Sequence, residues 1–504
     1  MLNGKGQNVD RKRTMGLKQQ TLQGLSWSFI DNFVAQMVSF VVSIVLYRLL
    51  VAAEVGILGI ITFFLAILTS LVDSGFGSAL IQKKDSTQTD YCTVFYFNLV
   101  IAVLLYGLMF FGAPFSESYF EIPGLTPILR VAGIGLIINA MGAIQFTLLV
   151  KRIDFKTKTK ISFISDMLAG IIAIVLAFKG FGVWSLVWRS LLGQSFTVIL
   201  LWIWNKWRPE AIFSLKSFKE LFGFGYKLAF AGLINTIYNN IYYPIIQKNF
   251  SSASLGFYTV AEKYTNLFST TLTSNIQRVS FPVLATIQDN PSRLRRGYRK
   301  MIKSTMMITF SLMLGLAAIA KPLIVILIGE QWLPAVPYLQ LMCFSAMLYP
   351  LHAMNLNIIT VKGRSDLILK LEIIKKSIHI PLIFVGIYLG IEALLIGSIV
   401  VSIIAFFLNS YYSAGLINYS TKIQLFDILP LFVVALLVSL VVWSLTFLGW
   451  NNWLTVLLQI TVGFLLTIGV YEIMKQPNYK ELKEIAFQLT HKLIDKLKIR
   501  RNYH

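Results

Sequence analysis

The chain has 504 residues, of which 56% are hydrophobic and 13% are charged, and its mean hydropathy is +0.69. Soluble domains contain about 45–50% apolar and about 25% charged residues, so this composition excludes a water-soluble globular protein. The formal net charge of +22 fits either a nucleic-acid-binding protein or the basic cytoplasmic loops of a membrane protein. The two cysteines, Cys92 and Cys343, both lie in apolar stretches and indicate neither a disulfide framework nor a thiolate metal site.

Apolar stretches separated by short polar breaks run along the whole chain. Each is long enough for a membrane span, which takes about 20 residues. The pattern predicts an all-α integral membrane protein with about fourteen transmembrane helices, or between twelve and fourteen because the stretch 321–335 can be included in a span. The predicted spans are residues 22–49, 54–80, 91–112, 124–149, 161–178, 183–204, 221–247, 253–281, 301–320, 335–359, 367–389, 391–416, 427–449 and 453–474.

The distribution of Lys and Arg between the breaks predicts the orientation of these helices. One alternating set of breaks, together with both termini, contains 33 Lys and Arg residues, and the other set contains only Lys179, Lys248 and Lys321. Because basic residues concentrate in cytoplasmic loops, both termini are expected in the cytoplasm. The charge is also spread over eight segments rather than gathered in one fold, which argues against nucleic acid as a partner.

The polar segments leave little room for an aqueous domain. Residues 1–20 are polar and basic, unlike a cleaved signal peptide. The loops are too short to form a soluble catalytic domain, and no Gly-rich lysine motif for ATP occurs. Neither an enzyme activity nor a cofactor is therefore expected. Residues 480–500 place apolar side chains on one helical stripe and lysines opposite, which predicts a helix on the inner leaflet or one docked on a cytoplasmic loop.

Two pairs of similar short segments indicate an internal repeat of the kind found in transporters. Gly56 and Gly256 occupy matching positions 200 residues apart, and Gly182 and Gly390 begin similar segments 208 residues apart. These two similarities predict two parallel six-helix lobes followed by two additional helices. The predicted organisation is a cytoplasmic N-terminus 1–20, an N-lobe 21–205, a linker 206–220, a C-lobe 221–417, helices thirteen and fourteen within 426–474, and a cytoplasmic tail 475–504.

Ionisable residues inside predicted spans are functional candidates, because each costs roughly 2.5–3.5 kcal/mol to insert. Those with positive charge could bind an anionic group such as a phosphate, whereas snorkelling of Arg48 and Arg130 and local pairing of Lys263 and Lys375 with neighbouring glutamates are the structural alternatives. The acidic residues are candidates for ion coupling or for polar contacts between helices. The substrate-binding candidates are Lys263, Lys375, Arg189, Arg278, Arg48 and Arg130, and the coupling candidates are Asp31, Asp166 and Glu262.

The seventh predicted helix is unusually polar and contains Pro244. Proline removes a backbone hydrogen bond and bends a helix. This pattern predicts a hinge at Pro244 with Asn239, Asn240 and Tyr243 lining a cavity, or else a static kink with polar side chains packed between helices. No cluster of His, Cys, Asp or Glu has the spacing of a metal site.

Several segments resemble the polysaccharide transporter family of the multidrug/oligosaccharidyl-lipid/polysaccharide exporter superfamily, in particular the teichuronic-acid and colanic-acid type lipopolysaccharide exporters. The resemblance is carried by YRLLVAAEVGILGI, DSGFGSALIQKKDSTQTDYCTVFYFNL, LVKRIDFKTKTKI, NFSSASLGFYTVAEKY, RVSFPVLATIQDN and GEQWLPAVPYLQL with LNIITVKGRSDLILKL, between about residues 47 and 375. It implies fourteen helices in two lobes around a central cationic cavity. It also implies a flippase that moves an undecaprenyl-diphosphate-linked oligosaccharide from the inner to the outer leaflet of the bacterial cytoplasmic membrane.

One departure from the family pattern affects the coupling residues. The family commonly carries an acidic residue in helix seven near the position of Asn240, and this chain does not, which leaves Asp31 as the leading alternative. Two other functions remain open at this point, a cation-coupled multidrug exporter of the same superfamily and a membrane polymerase or glycosyltransferase. The expected partners are the lipid-linked glycan, membrane lipids, and the polymerase and chain-length machinery of polysaccharide synthesis.

Overall fold

The computed structural model describes residues 35–73, 75–476, 478–479 and 483–484. Asp31, the basic N-terminus and the amphipathic tail predicted over 480–500, apart from residues 483–484, lie outside this range. The described residues form helices and no strand. The helices are α1 (Ala35–Leu49), α2 (Ala52–Asp73), α3 (Phe76–Gln82), α4 (Gln88–Phe120), α5 (Leu125–Lys151), α6 (Phe155–Phe178), α7 (Val183–Trp204), α8 (Leu215–Asn240), α9 (Tyr242–Asn249), α10 (Ser252–Thr286), α11 (Pro291–Ile328), α12 (Ala335–Ala346), α13 (Tyr349–Val361), α14 (Ser365–Leu389), α15 (Ile391–Ile417), α16 (Thr421–Ser444) and α17 (Asn452–Ile473).

The predicted spans coincide with these helices. Each predicted stretch overlaps one helix or two consecutive helices, the pairs being α2 with α3, α8 with α9, and α12 with α13. Nine helices of the described chain are long and apolar enough to cross a membrane by themselves. The long helices α8, α10 and α14 are not among the nine. The all-α membrane fold is confirmed, and fourteen is an approximate number of spans.

Local sequence explains where several helices begin and break. Gly75 adopts a left-handed conformation with φ of 70° between α2 and α3, which glycine tolerates without strain. Thr87 accepts a hydrogen bond from the backbone N–H of Asp90 and the Asp90 side chain accepts one in return, forming a capping box at the start of α4. Asn290 caps α11, and Pro291 occupies its first turn.

The polar seventh span is interrupted at Ile241, between α8 and α9. Pro244 lies in the first turn of α9, where its missing N–H is least costly. The break is therefore three residues before the proline. Asn240, whose carbonyl precedes the proline by four residues, ends α8 and turns its side-chain amide back to the carbonyl of Thr236 at 2.8 Å. The break exists in the structure, and its use as a hinge stays a prediction.

The chain divides into two units, Met1–Thr259 and Val260–His504. In the first unit, α3, α4 and α5 bury a cluster that includes Phe76, Leu80, Phe95 and Ile144. In the second unit, α11 and α16 pack together, and Ala318 and Val442 belong to their shared apolar core. The lobe and linker boundaries drawn from the sequence remain predictions.

Two glycines allow an unusually close crossing within the first unit. A Cβ atom on Gly56 of α2 would lie 1.8 Å from the carbonyl oxygen of Ser252, and one on Gly256 of α10 would lie 1.9 Å from that of Ala52. Each glycine thus faces the carbonyl four residues before the other. These are the two glycines that the sequence pairs at an offset of 200. Their reciprocal contact is what a local two-fold relation between the two segments produces.

Candidate functional site

The first unit contains a polar cavity of about 830 Å³. Helices α1 to α7 contribute its walls, and its charged lining residues among those described are Asp73, Asp166 and Arg189. Asn98 and Asn139 add two amide side chains. A cavity of this size is within the range of about 300–1,000 Å³ that ligand sites occupy. The arrangement can therefore accommodate a ligand with both charged and hydroxyl groups.

Arg189 is the cationic centre of this cavity. Its Nη2 atom donates to the hydroxyl of Ser39 on α1 at 3.2 Å, and Asp166 on α6 interacts with it electrostatically. Helix α7 places Arg189 four residues after Ser185, whose hydroxyl is buried against the carbonyl of Gly182 at the helix start. The arginine is thus held from two neighbouring helices, with its planar group available to bind an anion in bidentate fashion.

A second chamber of about 620 Å³ adjoins the first. The two share Asp73, Gly75, Ser78, Ser190 and Gln194 as lining residues. The additional polar residues of the second chamber carry hydroxyl groups and come from α2 and α8, and its described lining contains no lysine or arginine. These hydroxyl residues are Thr62, Thr69, Ser70 and Thr236.

Two other cationic candidates of the first unit lie elsewhere. The Nε atom of Arg130 donates to the carbonyl of Phe110 at 3.1 Å, and its guanidinium carbon lies 4.1 Å from the centre of the Phe110 ring. Arg48 is exposed at the end of α1. Neither residue lines the two chambers.

The polar candidates of the seventh span lie around its break. Asn239 is exposed, Asn240 is half-buried at the end of α8, and the Tyr243 ring meets that of Tyr258 edge-on at 6.0 Å. None of the three candidates lines the two chambers, whereas Thr236, one turn earlier, does.

Lys248 at the end of α9 contacts the end of α4. Its ammonium lies 2.8 Å from Oε1 of Glu121, which follows α4, and donates to the carbonyl of Tyr119 at 2.7 Å. This hydrogen bond holds the pKa of the Glu121 carboxyl below its usual value.

In the second unit, the candidate cation Lys375 forms an ion pair with Glu372 one turn before it on α14. This is the local pair that the sequence left open as the structural alternative. Glu262 and Lys263 are half-buried on α10, both take part in interactions, and Glu262 acts electrostatically on Tyr349. Arg278 is exposed near the end of the same helix.

An ionic cluster around Asp427 connects α16 with α11. Asp427 accepts from Nη2 of Arg299 at 2.7 Å, from the hydroxyl of Tyr419 at 2.8 Å, and pairs with Lys303 at 2.9 Å. Its side chain is only 7% exposed, so two cations and a hydroxyl compensate one buried carboxylate. Because these partners already bind the Asp427 carboxylate, the cluster mainly stabilises the packing of α16 against α11.

Sequence reasoning missed three of these residues. Asp73 and Asp427 both fall within predicted spans, so a complete survey of ionisable residues would have found them. Asn98 is different, because a single asparagine in an apolar helix has no sequence signal for burial beside a cavity. Within the residues that the structure describes, no group of three His, Cys, Asp or Glu side chains could hold a metal ion.

Known proteins match the chain over most of its length. It is 27% identical to teichuronic acid biosynthesis protein TuaB of Bacillus subtilis (strain 168), covering 70% of this chain and 73% of that protein. It is 25% identical to lipopolysaccharide biosynthesis protein WzxC of Escherichia coli (strain K12), covering 74% of this chain and 76% of that protein.

Among solved structures, the inward closed conformation of the lipid II flippase MurJ superposes with a TM-score of 0.68 at 15% identity, covering 91% of this chain and 99% of that one. This likeness shows that the two chains share a fold. The model of the family described as "Polysaccharide biosynthesis protein" matches residues 45–337. That match covers more than half of the chain, and the chain therefore belongs to this family of polysaccharide biosynthesis proteins.

Proposed function

We propose that this protein is a flippase that moves an undecaprenyl-diphosphate-linked oligosaccharide repeat unit across the bacterial cytoplasmic membrane by alternating access. The observation that carries the proposal is the polar cavity around Arg189, which lies inside a membrane-embedded unit of a polysaccharide biosynthesis family member. The names of the relatives and the flippase fold support the same class of substrate.

The chemistry of the cavity suits the diphosphate of such a lipid. An anionic group entering a low-dielectric site needs a counter-charge, and an arginine gives a phosphate two parallel hydrogen bonds. Arg189 is the leading residue for this role, and Lys263 and Lys375 are the cationic candidates of the second unit. Asp166, Glu262 and Asp31 are the proposed coupling residues. The broken helix around Pro244 would supply the bend that a change of state requires.

The orientation follows from the loop charges. With both termini in the cytoplasm, the termini and the breaks that together hold 33 basic residues face inward. The glycan would be assembled on its lipid at that face and released at the outer one. There, the polymerase and chain-length machinery of surface polysaccharide or lipopolysaccharide synthesis would take it up, so the chain itself carries no catalytic step.

Replacement of Arg189 by Gln tests the proposal. In proteoliposomes loaded with the lipid-linked repeat unit of the source bacterium, the variant should move glycan to the opposite leaflet at least ~10-fold more slowly, the size of losing one charge-assisted contact of roughly 1.5–3 kcal/mol. Arg152→Gln, at an exposed arginine after α5, is the matched control and should transport normally. Normal transport by folded Arg189→Gln protein would contradict the proposal.

A further inference from the structure

The two chambers of the first unit share a wall that includes Asp73, and only the first has a cation in its described lining. That cation is Arg189, which lies in the first chamber together with Asp166. A diphosphate entering the second chamber would meet a carboxylate without a compensating cation. The negative part of an amphiphilic ligand is therefore expected to stay in the first chamber.

The polar groups of the second chamber match a neutral, hydroxyl-rich molecule. Hydroxyl side chains both donate and accept hydrogen bonds and rotate to suit their partner. Thr69, Ser70 and Thr236 supply such groups, and Asp73 can accept from two sugar hydroxyls through its two oxygens. On the shared wall, the Gln194 side-chain amide donates to the hydroxyl of Ser190 at 3.3 Å.

An orphaned polar atom lies beside the first chamber. Asn98 is 3% exposed, and its side-chain oxygen has no hydrogen-bond partner among the described residues. A buried amide oxygen left without a donor costs about 1–3 kcal/mol. A polar ligand or an ordered water molecule in this cavity would remove that cost, which supports an occupied rather than an empty cavity.

We propose that the second chamber is a sugar subsite: it binds the neutral glycan of the substrate through Asp73, Thr69 and Ser70, while Arg189 in the adjoining chamber binds the diphosphate. This inference rests on the proposed function and assigns the glycan and the diphosphate of its substrate to separate chambers. Specificity for the repeat unit would then be determined by α2 and α8, and affinity for the lipid carrier by α7.

Two probes separate these roles in the purified full-length protein, reconstituted in nanodiscs. One is undecaprenyl diphosphate carrying the repeat unit extracted from the source bacterium, and the other is undecaprenyl diphosphate without sugar. The test variants are Asp73→Asn and the double variant Thr69→Val with Ser70→Ala, which remove charge or hydroxyl groups with little change of volume. Thr461→Val is the matched control, since this threonine is exposed on α17 and bonds only to its own helix.

The wild type should bind the glycosylated lipid more tightly than the bare lipid. Both test variants should lose about tenfold in affinity for the glycosylated lipid, about 1.4 kcal/mol, and keep their affinity for the bare one. Equal loss for both lipids, or no loss for either, would overturn the subsite. Binding that depends on Na⁺ in the wild type but not in Asp73→Asn would show a cation site instead. If the wild type binds neither lipid, the proposed function itself fails.

Discussion

Two groups of charged side chains, one in each unit, differ in what surrounds them. In the first unit, Asp73, Asp166 and Arg189 line a cavity. In the second unit, Asp427 is enclosed by Arg299, Lys303 and Tyr419, and Lys375 is paired with Glu372. A charge beside an open cavity can bind a ligand, whereas a charge whose partners are already in place mainly stabilises the fold.

This difference changes how the charged candidates rank. The sequence gives Lys263 and Lys375 special interest because both fall near the middle of predicted spans. Depth in the membrane does not reveal whether a neighbour on the next turn neutralises the charge, as Glu372 does for Lys375. Arg189, which the sequence places among several equal candidates, gains most from the structure because it lines the cavity.

The largest expected effect is on stability, from Asp427→Ala in the second unit. The change leaves Arg299 and Lys303 without their carboxylate, and losing one partner of a buried pair costs about 3–5 kcal/mol. Since Arg299 is 46% exposed, about 2–3 kcal/mol is expected here. Denaturant unfolding in mixed micelles measures it.

Asp73→Ala is the corresponding change in the first unit. Asp73 is exposed to the cavity and makes no ion pair or hydrogen bond with the described residues, so its loss should alter the unfolding free energy by no more than about 0.5 kcal/mol. If the two alanine variants lost equal stability, the contrast between the units would be wrong.

A moderate effect is expected from Tyr298→Phe, which probes a neutral hydrogen-bond network of the second unit. The Tyr298 hydroxyl donates to the side-chain oxygen of Asn355 at 3.0 Å in a fully buried site, and Ser413 donates to the same oxygen. Because Asn355 keeps one donor, the variant should lose only about 1 kcal/mol, seen as a lower unfolding midpoint. Asn355→Leu should cost more, because it leaves the Tyr298 hydroxyl without its acceptor and leaves the Ser413 hydroxyl with only the carbonyl of Ser410, at 3.2 Å. The reverse order would contradict this reading of the network.

The smallest effect concerns the surface pair Glu121–Lys248 of the first unit. The pKa of Glu121 is lowered by the hydrogen bond from Lys248, so the pair stabilises the fold above the ordinary carboxyl pKa of about 4.3. The contribution is lost as the pH falls through the lowered pKa. The side chain is 79% exposed, which makes the loss small. Thermal midpoints of wild type and Glu121→Gln should converge as the pH falls below the lowered pKa of Glu121, and a difference that persists in strongly acidic solution would refute the assignment.

The helices themselves were predictable because hydropathy reports burial in lipid directly. Predicted and observed helix positions agree at all fourteen stretches, with the described part of the first beginning at Ala35. The sequence pairs Gly56 with Gly256 as members of an internal repeat, which stays a prediction. Their contact with each other was found only in the structure.

The candidate site was less predictable for a physical reason. Whether a charge is paired depends on neighbours from other helices, as with Asp427 and Arg299, which are 128 residues apart. The break near Pro244 shows a smaller difficulty, because the steric conflict of a proline acts on the preceding turn and displaces the interruption to Ile241. Side chains such as Asn98 become notable only when a cavity is seen beside them.

The glycine crossing has a consequence for how lipids reach the protein. Where Gly56 and Gly256 meet, the backbones of α2 and α10 touch, and no gap remains between them for an acyl chain. In the proposed orientation, this seal lies at the level of the outer leaflet. A polyprenyl tail that moves sideways between the bilayer and the protein must therefore pass elsewhere at that depth, or wait until these two helices separate.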